Sequence, residues 1–172
     1  MAGRRPMLKT LRYALRKVFG TMPKLLPVGS KAPDFSVLDH QGRSVSLAGL
    51  KGKRFVLWFY PKADTPGCTR EGCGFRDAYS EFEKRGVQVY GVSFDTVADN
   101  RAFAEKFKFS YPLLCDTKRE LGLAYKACDS AVDPYPNRIT YVIGPEGTIE
   151  EAVETKDPAG QAAALLASLP AR

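Results

Sequence analysis

The chain has 172 residues, 44% hydrophobic and 26% charged, the size and composition of one soluble globular domain. No run of about 18 apolar residues offers a membrane span, so a transmembrane protein is excluded. The net charge of +7 is concentrated: residues 1 to 27 hold seven cations and no acid, and the rest of the chain carries 19 basic against 19 acidic side chains. A basic face for tracking nucleic acid is therefore not expected, and any anionic partner belongs to the N-terminal arm.

In that arm Leu8, Leu11, Leu15, Val18, Phe19 and Met22 recur at three- and four-residue steps, with Arg12, Arg16 and Lys17 on other faces. This reads as a basic amphipathic helix, too interrupted by cations for a secretory signal. Three readings stay open: a membrane-surface helix, an organelle-targeting peptide, or an extension whose periodicity is chance. Met22 to Pro27 reads as a linker, which divides the chain into an extension over residues 1–27 and a domain over residues 28–172.

The domain opens with a hairpin, Phe35 to Leu38 and Arg43 to Leu47, around the turn Asp39-His40-Gln41-Gly42. His40, the only histidine, is expected to be a solvated turn residue without a role. Arg54 to Tyr60 is a run of strand length, β-branched, aromatic and aliphatic from Phe55 on, the pattern of a central strand buried on both faces. After the turn Pro61 to Gly67 a helix is expected through about Arg85, then a parallel strand at Val87 to Phe94. Helices follow at Asn100 to Phe107 and Lys118 to Lys126, strands at Ile139 to Ile143 and Thr148 to Val153, and a closing helix at Ala159 to Leu169. The alternation predicts an α/β sandwich, a central mixed sheet covered by helices on both faces.

Four cysteines, Cys68, Cys73, Cys115 and Cys128, are too few for a disulfide scaffold in a chain of this size, which points to redox or catalytic use. Their gaps do not suit a zinc ribbon, so neither a metal nor a cofactor is expected. Cys68 stands where a central strand gives way to a helix, the usual place for functional residues in an α/β sheet. With Thr65 as N-cap and Pro66 at the first helical position, it lies in the first turn, beside the positive end of the helix dipole. Such a position favours the thiolate, the reactive form of a thiol.

The stretch from Tyr60 to Asp77, with the spacing P-x3-T-x2-C over Pro61, Thr65 and Cys68 and a second cysteine, Cys73, five positions on, resembles the active site of peroxiredoxins. Within them it resembles the peroxiredoxin Q or bacterioferritin comigratory protein type, in which one chain carries both cysteines. The likeness covers residues 28 to 169, including Ala32-Pro33-Asp34-Phe35 and Arg138-Ile139-Thr140-Tyr141. It implies a thioredoxin-like fold, Cys68 as the peroxidatic cysteine and Cys73 as the resolving one. It also implies a hydroperoxide substrate, a disulfide recycled by thioredoxin or a similar dithiol, and a monomer acting in the cytoplasm.

Residue chemistry fills in the other roles. Pro61 lacks an N–H and shapes a corner that shields the sulfur from water. The Thr65 hydroxyl suits either orienting the peroxide or capping the helix. Arg138, the cation far along the chain that the resemblance singles out, would supply a guanidinium for the thiolate and the leaving oxygen. Glu71 fits a common acidic position of the motif and equally a first-turn acid favoured by the dipole. Cys115 and Cys128 read as passengers, and Trp58 as core close to the active helix. The competing readings are a protein disulfide oxidoreductase, which would carry C-x2-C where this chain has C-x4-C, and a thioredoxin-like binding module.

Overall fold

The computed structural model describes residues 24–170. The expected helix of the arm lies outside the described residues up to Met22. Segment 24–27, read as linker, runs onto the body: Leu25 and Leu26 pack on the core, and the Leu26 N–H donates to the Tyr141 hydroxyl at 3.2 Å.

Seven strands form one mixed sheet: β1 (Ser36–Asp39), β2 (Ser44–Ser46), β3 (Arg54–Phe59), β4 (Val87–Ser93), β5 (Leu113–Cys115), β6 (Ile139–Ile143) and β7 (Ile149–Glu154), in the order β2-β1-β5-β4-β3-β6-β7. β4 runs parallel to β3 and β5, and the other pairings are antiparallel. Four helices cover it: α1 (Pro66–Lys84), α2 (Val97–Phe107), α3 (Glu120–Ala124) and α4 (Gln161–Ser168).

Side chains alternate along a strand, and both faces of β3 are apolar. Val56, Trp58 and Tyr60 face a core shared with Cys68, Phe75 and Phe82 of α1, Phe103 of α2 and Leu165 of α4. Phe55, Leu57 and Phe59 face the opposite core with Phe35, Leu121 of α3, Tyr125 and Tyr141. The expected sandwich with helices on both faces is what the chain builds. Trp58 is fully buried and stacks on Phe75 at 5.4 Å between ring centroids, so it is a core residue beside the active helix.

Two expectations need correction. β5 had no counterpart in the sequence reading, because three residues after Pro112 carry too little periodicity to register as a strand. His40 is not solvated: it is 6% exposed, its Nδ1 accepts the Leu113 N–H at 3.0 Å, and its own N–H donates to the Leu113 carbonyl at 2.8 Å. The turn histidine docks the hairpin on the strand that was missed. Smaller shifts have local causes: α2 begins at Val97 because Thr96 caps it, accepting the Asp99 N–H at 3.1 Å.

Candidate active site

The site is assembled at the C-terminal end of β3. Tyr60 closes that strand with its ring buried and its hydroxyl donating to Asn100 Oδ1 at 2.5 Å. Pro61 then turns the chain, and the loop is tied down by the Ala63 N–H on Asp95 Oδ2 at 2.8 Å. Asp64 adopts a left-handed φ of 55° and binds Lys106 Nζ at 2.7 Å. Thr65 takes the N-cap backbone conformation, φ −103° and ψ 154°, but its side chain does not cap the helix. Its hydroxyl instead donates to the Lys62 carbonyl at 2.8 Å, which leaves the oxygen lone pairs as acceptors.

Pro66 occupies the first turn of α1 and Cys68 follows, its side chain 0% exposed. Residue 138 reaches residue 68 through sheet register. Trp58 pairs with Thr140 across β3 and β6, so two residues further on along one strand and back along the other lead to Tyr60 and Arg138. From there the guanidinium donates from Nη2 to Cys68 Sγ at 3.4 Å and from Nη1 to Glu71 Oε2 at 2.7 Å. Gly67 admits this approach, since a Cβ there would stand 3.1 Å from Arg138 Nη2.

Glu71 is not the first-turn acid that one reading allowed. It lies one turn further, 0% exposed, and burial pushes its carboxyl up to about 7 against the opposing pull of Arg138. Oε1 has no hydrogen-bond partner; the nearby Thr155 hydroxyl favours the carboxylate but is engaged with Thr140 Oγ1 at 3.0 Å. Burial works against the charge on Arg138, and the bonds to Glu71 and Cys68 outweigh it, raising its pKa.

Cys73 lies half-buried on the same helix, with all four cysteines present as free thiols. The structure thus brings Arg138 onto Cys68 at the head of α1, with Thr65 at the N-cap and Pro61 in the preceding turn, and sets Cys73 apart, more than one turn along. Cys115 and Cys128 flank α3, and burial raises both thiols, Cys128 to about 12, an environment for inert sulfur. The sequence reading missed the Gly67 notch, the Asp95 tether and the pairing of Glu71 with Arg138. The available signal for the last was spacing: positions 68 and 71 share one helix face.

A cysteine heading the helix that follows the central strand of a thioredoxin-like sheet, under an arginine from the neighbouring strand, is an arrangement of the peroxiredoxin class. The chain belongs to the AhpC/TSA family, which its residues 28–152 match, and its relatives are of the peroxiredoxin Q and Bcp type. It is 39% identical over 137 residues to the peroxiredoxin bcp of Coxiella burnetii, covering 72% of this chain and 85% of that one. It is 42% identical over 122 residues to the chloroplastic peroxiredoxin Q of Arabidopsis thaliana, covering 71% of this chain. The chain spans 56% of the length of that plant relative. Among solved structures, peroxidoxin BcpB of Mycobacterium tuberculosis superposes with a TM-score of 0.76 at 29% identity, covering 85% of this chain and 99% of the other. A PrxQ variant of Xylella fastidiosa gives 0.77 at 28%, covering 84% and 95%.

Proposed function

We propose that the protein is a thiol-dependent peroxidase that reduces hydrogen peroxide and organic hydroperoxides, with Cys68 attacking and Cys73 resolving. The observation that carries this is the Arg138 guanidinium, 3.4 Å from a cysteine sulfur in the first turn of α1. The Cys68 thiolate attacks one peroxide oxygen, the O–O bond breaks, and the sulfur loses two electrons to become a sulfenic acid. The other oxygen leaves as hydroxide or alkoxide and takes a proton from water. Arg138 stabilises the charge that passes from sulfur to leaving oxygen. The Thr65 oxygen, with its proton committed to Lys62, accepts the peroxide O–H. Pro61 offers no N–H and keeps the corner dry. Because Cys68 is fully covered, peroxide enters as the loop from Pro61 to Pro66 and the guanidinium move apart.

Resolution needs motion. Five residues of helix separate the two Cα atoms by roughly 8–9 Å on different faces, beyond the ~7 Å a disulfide spans. The segment around Cys73 must unwind before its thiolate attacks the Cys68 sulfenic sulfur, forming the S–S bond and expelling hydroxide that leaves as water. Thioredoxin or a similar dithiol then reduces the disulfide. With both cysteines in one helix the cycle is complete in a monomer, and the cytoplasm supplies such dithiols. Residues 1 to 27, as an appendage of the 28–172 domain, contribute contact with anionic membrane surfaces.

The test is peroxide consumption with thioredoxin and its reductase. Cys68→Ser should be inactive, and Cys73→Ser should complete one stoichiometric oxidation and stall. Equal loss of the first oxidation in both variants would overturn the division of roles.

A further inference from the structure

We propose that the loop between α2 and β5 is a latch on the Cys73 turn of α1, with Tyr111 as the positioning residue that sets how fast Cys73 reaches oxidised Cys68. The inference rests on the assignment of Cys68 and Cys73 given above and goes beyond it by naming what restrains the unwinding.

Three contacts from residues 107 to 111 converge on the turn from Gly72 to Arg76. The buried Tyr111 hydroxyl donates to the Gly72 carbonyl at 2.7 Å. That carbonyl already belongs to the helical ladder, and its second lone pair takes the phenol. Arg76 Nη1 donates to the Phe107 carbonyl at 2.8 Å. The Phe109 ring fills the notch over Gly72, where a Cβ would come within 2.5 Å of Cζ. Lys108, between the two phenylalanines, takes a left-handed φ of 55° that ends α2 and brings the loop over α1. The stack continues from Phe109 to Tyr111 at 5.3 Å between centroids, so the loop is itself braced.

The attacking end of the helix is held differently, by Arg138, the residue just before β6. The latch therefore acts on resolution and not on attack. Burial keeps the Tyr111 phenol well above its ordinary pKa, so it remains a donor at any working pH. Unwinding must break the Gly72 bond and lift the turn off Phe109. A tighter latch prolongs the sulfenic acid and exposes it to a second peroxide, which would carry it to the sulfinic acid.

Tyr111→Phe keeps the ring and removes the hydroxyl. Single-turnover oxidation followed by Trp58 fluorescence, with disulfide and sulfinic acid quantified by mass spectrometry of quenched samples, separates the steps. Attack should run at the wild-type rate while disulfide closure speeds up about three- to tenfold, the range of one hydrogen bond's net contribution. The peroxide concentration that half-converts Cys68 to sulfinic acid should rise by the same factor. Arg76→Met, on the more accessible side of the helix, should act in the same direction and serves if Tyr111→Phe does not fold. Closure unchanged in both variants, or slowed in step with attack, would overturn the latch while leaving the Cys68–Cys73 disulfide in place. A Cys73→Ser protein that still closed a disulfide on Cys68 would instead overturn the underlying assignment, and the latch with it.

Discussion

Arg138 shares its guanidinium between two acceptors, the Cys68 sulfur at 3.4 Å and Glu71 Oε2 at 2.7 Å. One fork holds the nucleophile and is itself aimed by a buried carboxylate, a division that a point charge cannot reproduce. Arg138→Met should slow the oxidation of Cys68 by about 10²–10³-fold, the usual cost of losing one preorganised donor to a developing charge. Arg138→Lys should fall between, since an ammonium can serve one partner well but not both. Stopped-flow measurement of the second-order rate with hydrogen peroxide checks this, and a methionine variant as fast as wild type would remove Arg138 from the chemistry.

Glu71 should leave a mark on the pH dependence. Its carboxyl titrates near 7 in the fold, so ionisation in that range changes how much of the Arg138 charge remains for the sulfur. The attack rate should show an inflection near pH 7 that Glu71→Gln removes. The stability sign follows from linkage: the folded pKa is raised, so the fold binds more protons than the unfolded chain and loses stability as pH rises from about 4.5 towards 7. Urea denaturation of both proteins across that range should show a falling slope in the wild type that is flatter in the glutamine variant.

His40 carries the opposite sign. Burial lowers its pKa below the ordinary 6.5, and its Nδ1 accepts the Leu113 N–H only when unprotonated. The contribution is present above pH 6.5 and is lost as pH falls through the lower folded value. His40→Phe should weaken that acid sensitivity and cost about 1–3 kcal/mol at neutral pH by leaving a buried N–H without its acceptor. Amide exchange at Leu113 against pH is the direct measurement.

Much of this was legible because some signals are local. The apolar run at β3, the Pro66-headed helix and the Cys68 position all follow from neighbours in sequence, and α1 begins where Thr65 and Pro66 place it. Arg138 could be named only by resemblance, because its meeting with Cys68 depends on the register of β3 against β6, and the two residues lie 70 positions apart in sequence. His40 was misread and Tyr111 passed over for related reasons: His40 docks on β5, a strand only three residues long, and Tyr111 reaches α1 from the loop that leads into it. Glycine misled in another way. Helix propensity marks Gly67, Gly72 and Gly74 only as weak points of α1, whereas in the fold each also makes room for a neighbour.

The arm has its own test. Near an anionic surface each cation of residues 1 to 27 is worth about 1 kcal/mol, within a Debye length. The full chain should cosediment with vesicles rich in phosphatidylserine at low salt and dissociate at high salt, and a chain lacking residues 1–23 should turn over peroxide normally without binding. Cosedimentation that survives the truncation would place the contact elsewhere.

Gly72 and Gly74 should respond to alanine in opposite directions, although helix propensity alone predicts the same gain of about 1 kcal/mol for both. At Gly74 a Cβ would stand 3.3 Å from the Ala159 carbonyl and 3.8 Å from Ala162 Cβ. That carbonyl lies in the turn before α4 and can yield a few tenths of an ångström, so Gly74→Ala should stiffen α1. Disulfide closure should slow by about fivefold, the equivalent of that propensity gain, and the protein should reach the sulfinic acid at lower peroxide. At Gly72 the Cβ would stand 2.5 Å from Phe109 Cζ, in a ring packed against Phe103, Phe107 and Tyr111. Gly72→Ala must lift Phe109 away from α1, so the lost packing opposes the propensity gain and closure should be as fast as wild type or faster. Trp58, stacked on Phe75 and edge-on to Tyr111, reports the change in both proteins without a label. Amide exchange from Thr69 to Arg76 in the reduced state should be slower than wild type in Gly74→Ala and faster in Gly72→Ala. Slower exchange and slower closure in both variants would mean that helix propensity, and not the fit of Phe109 over Gly72, governs the step.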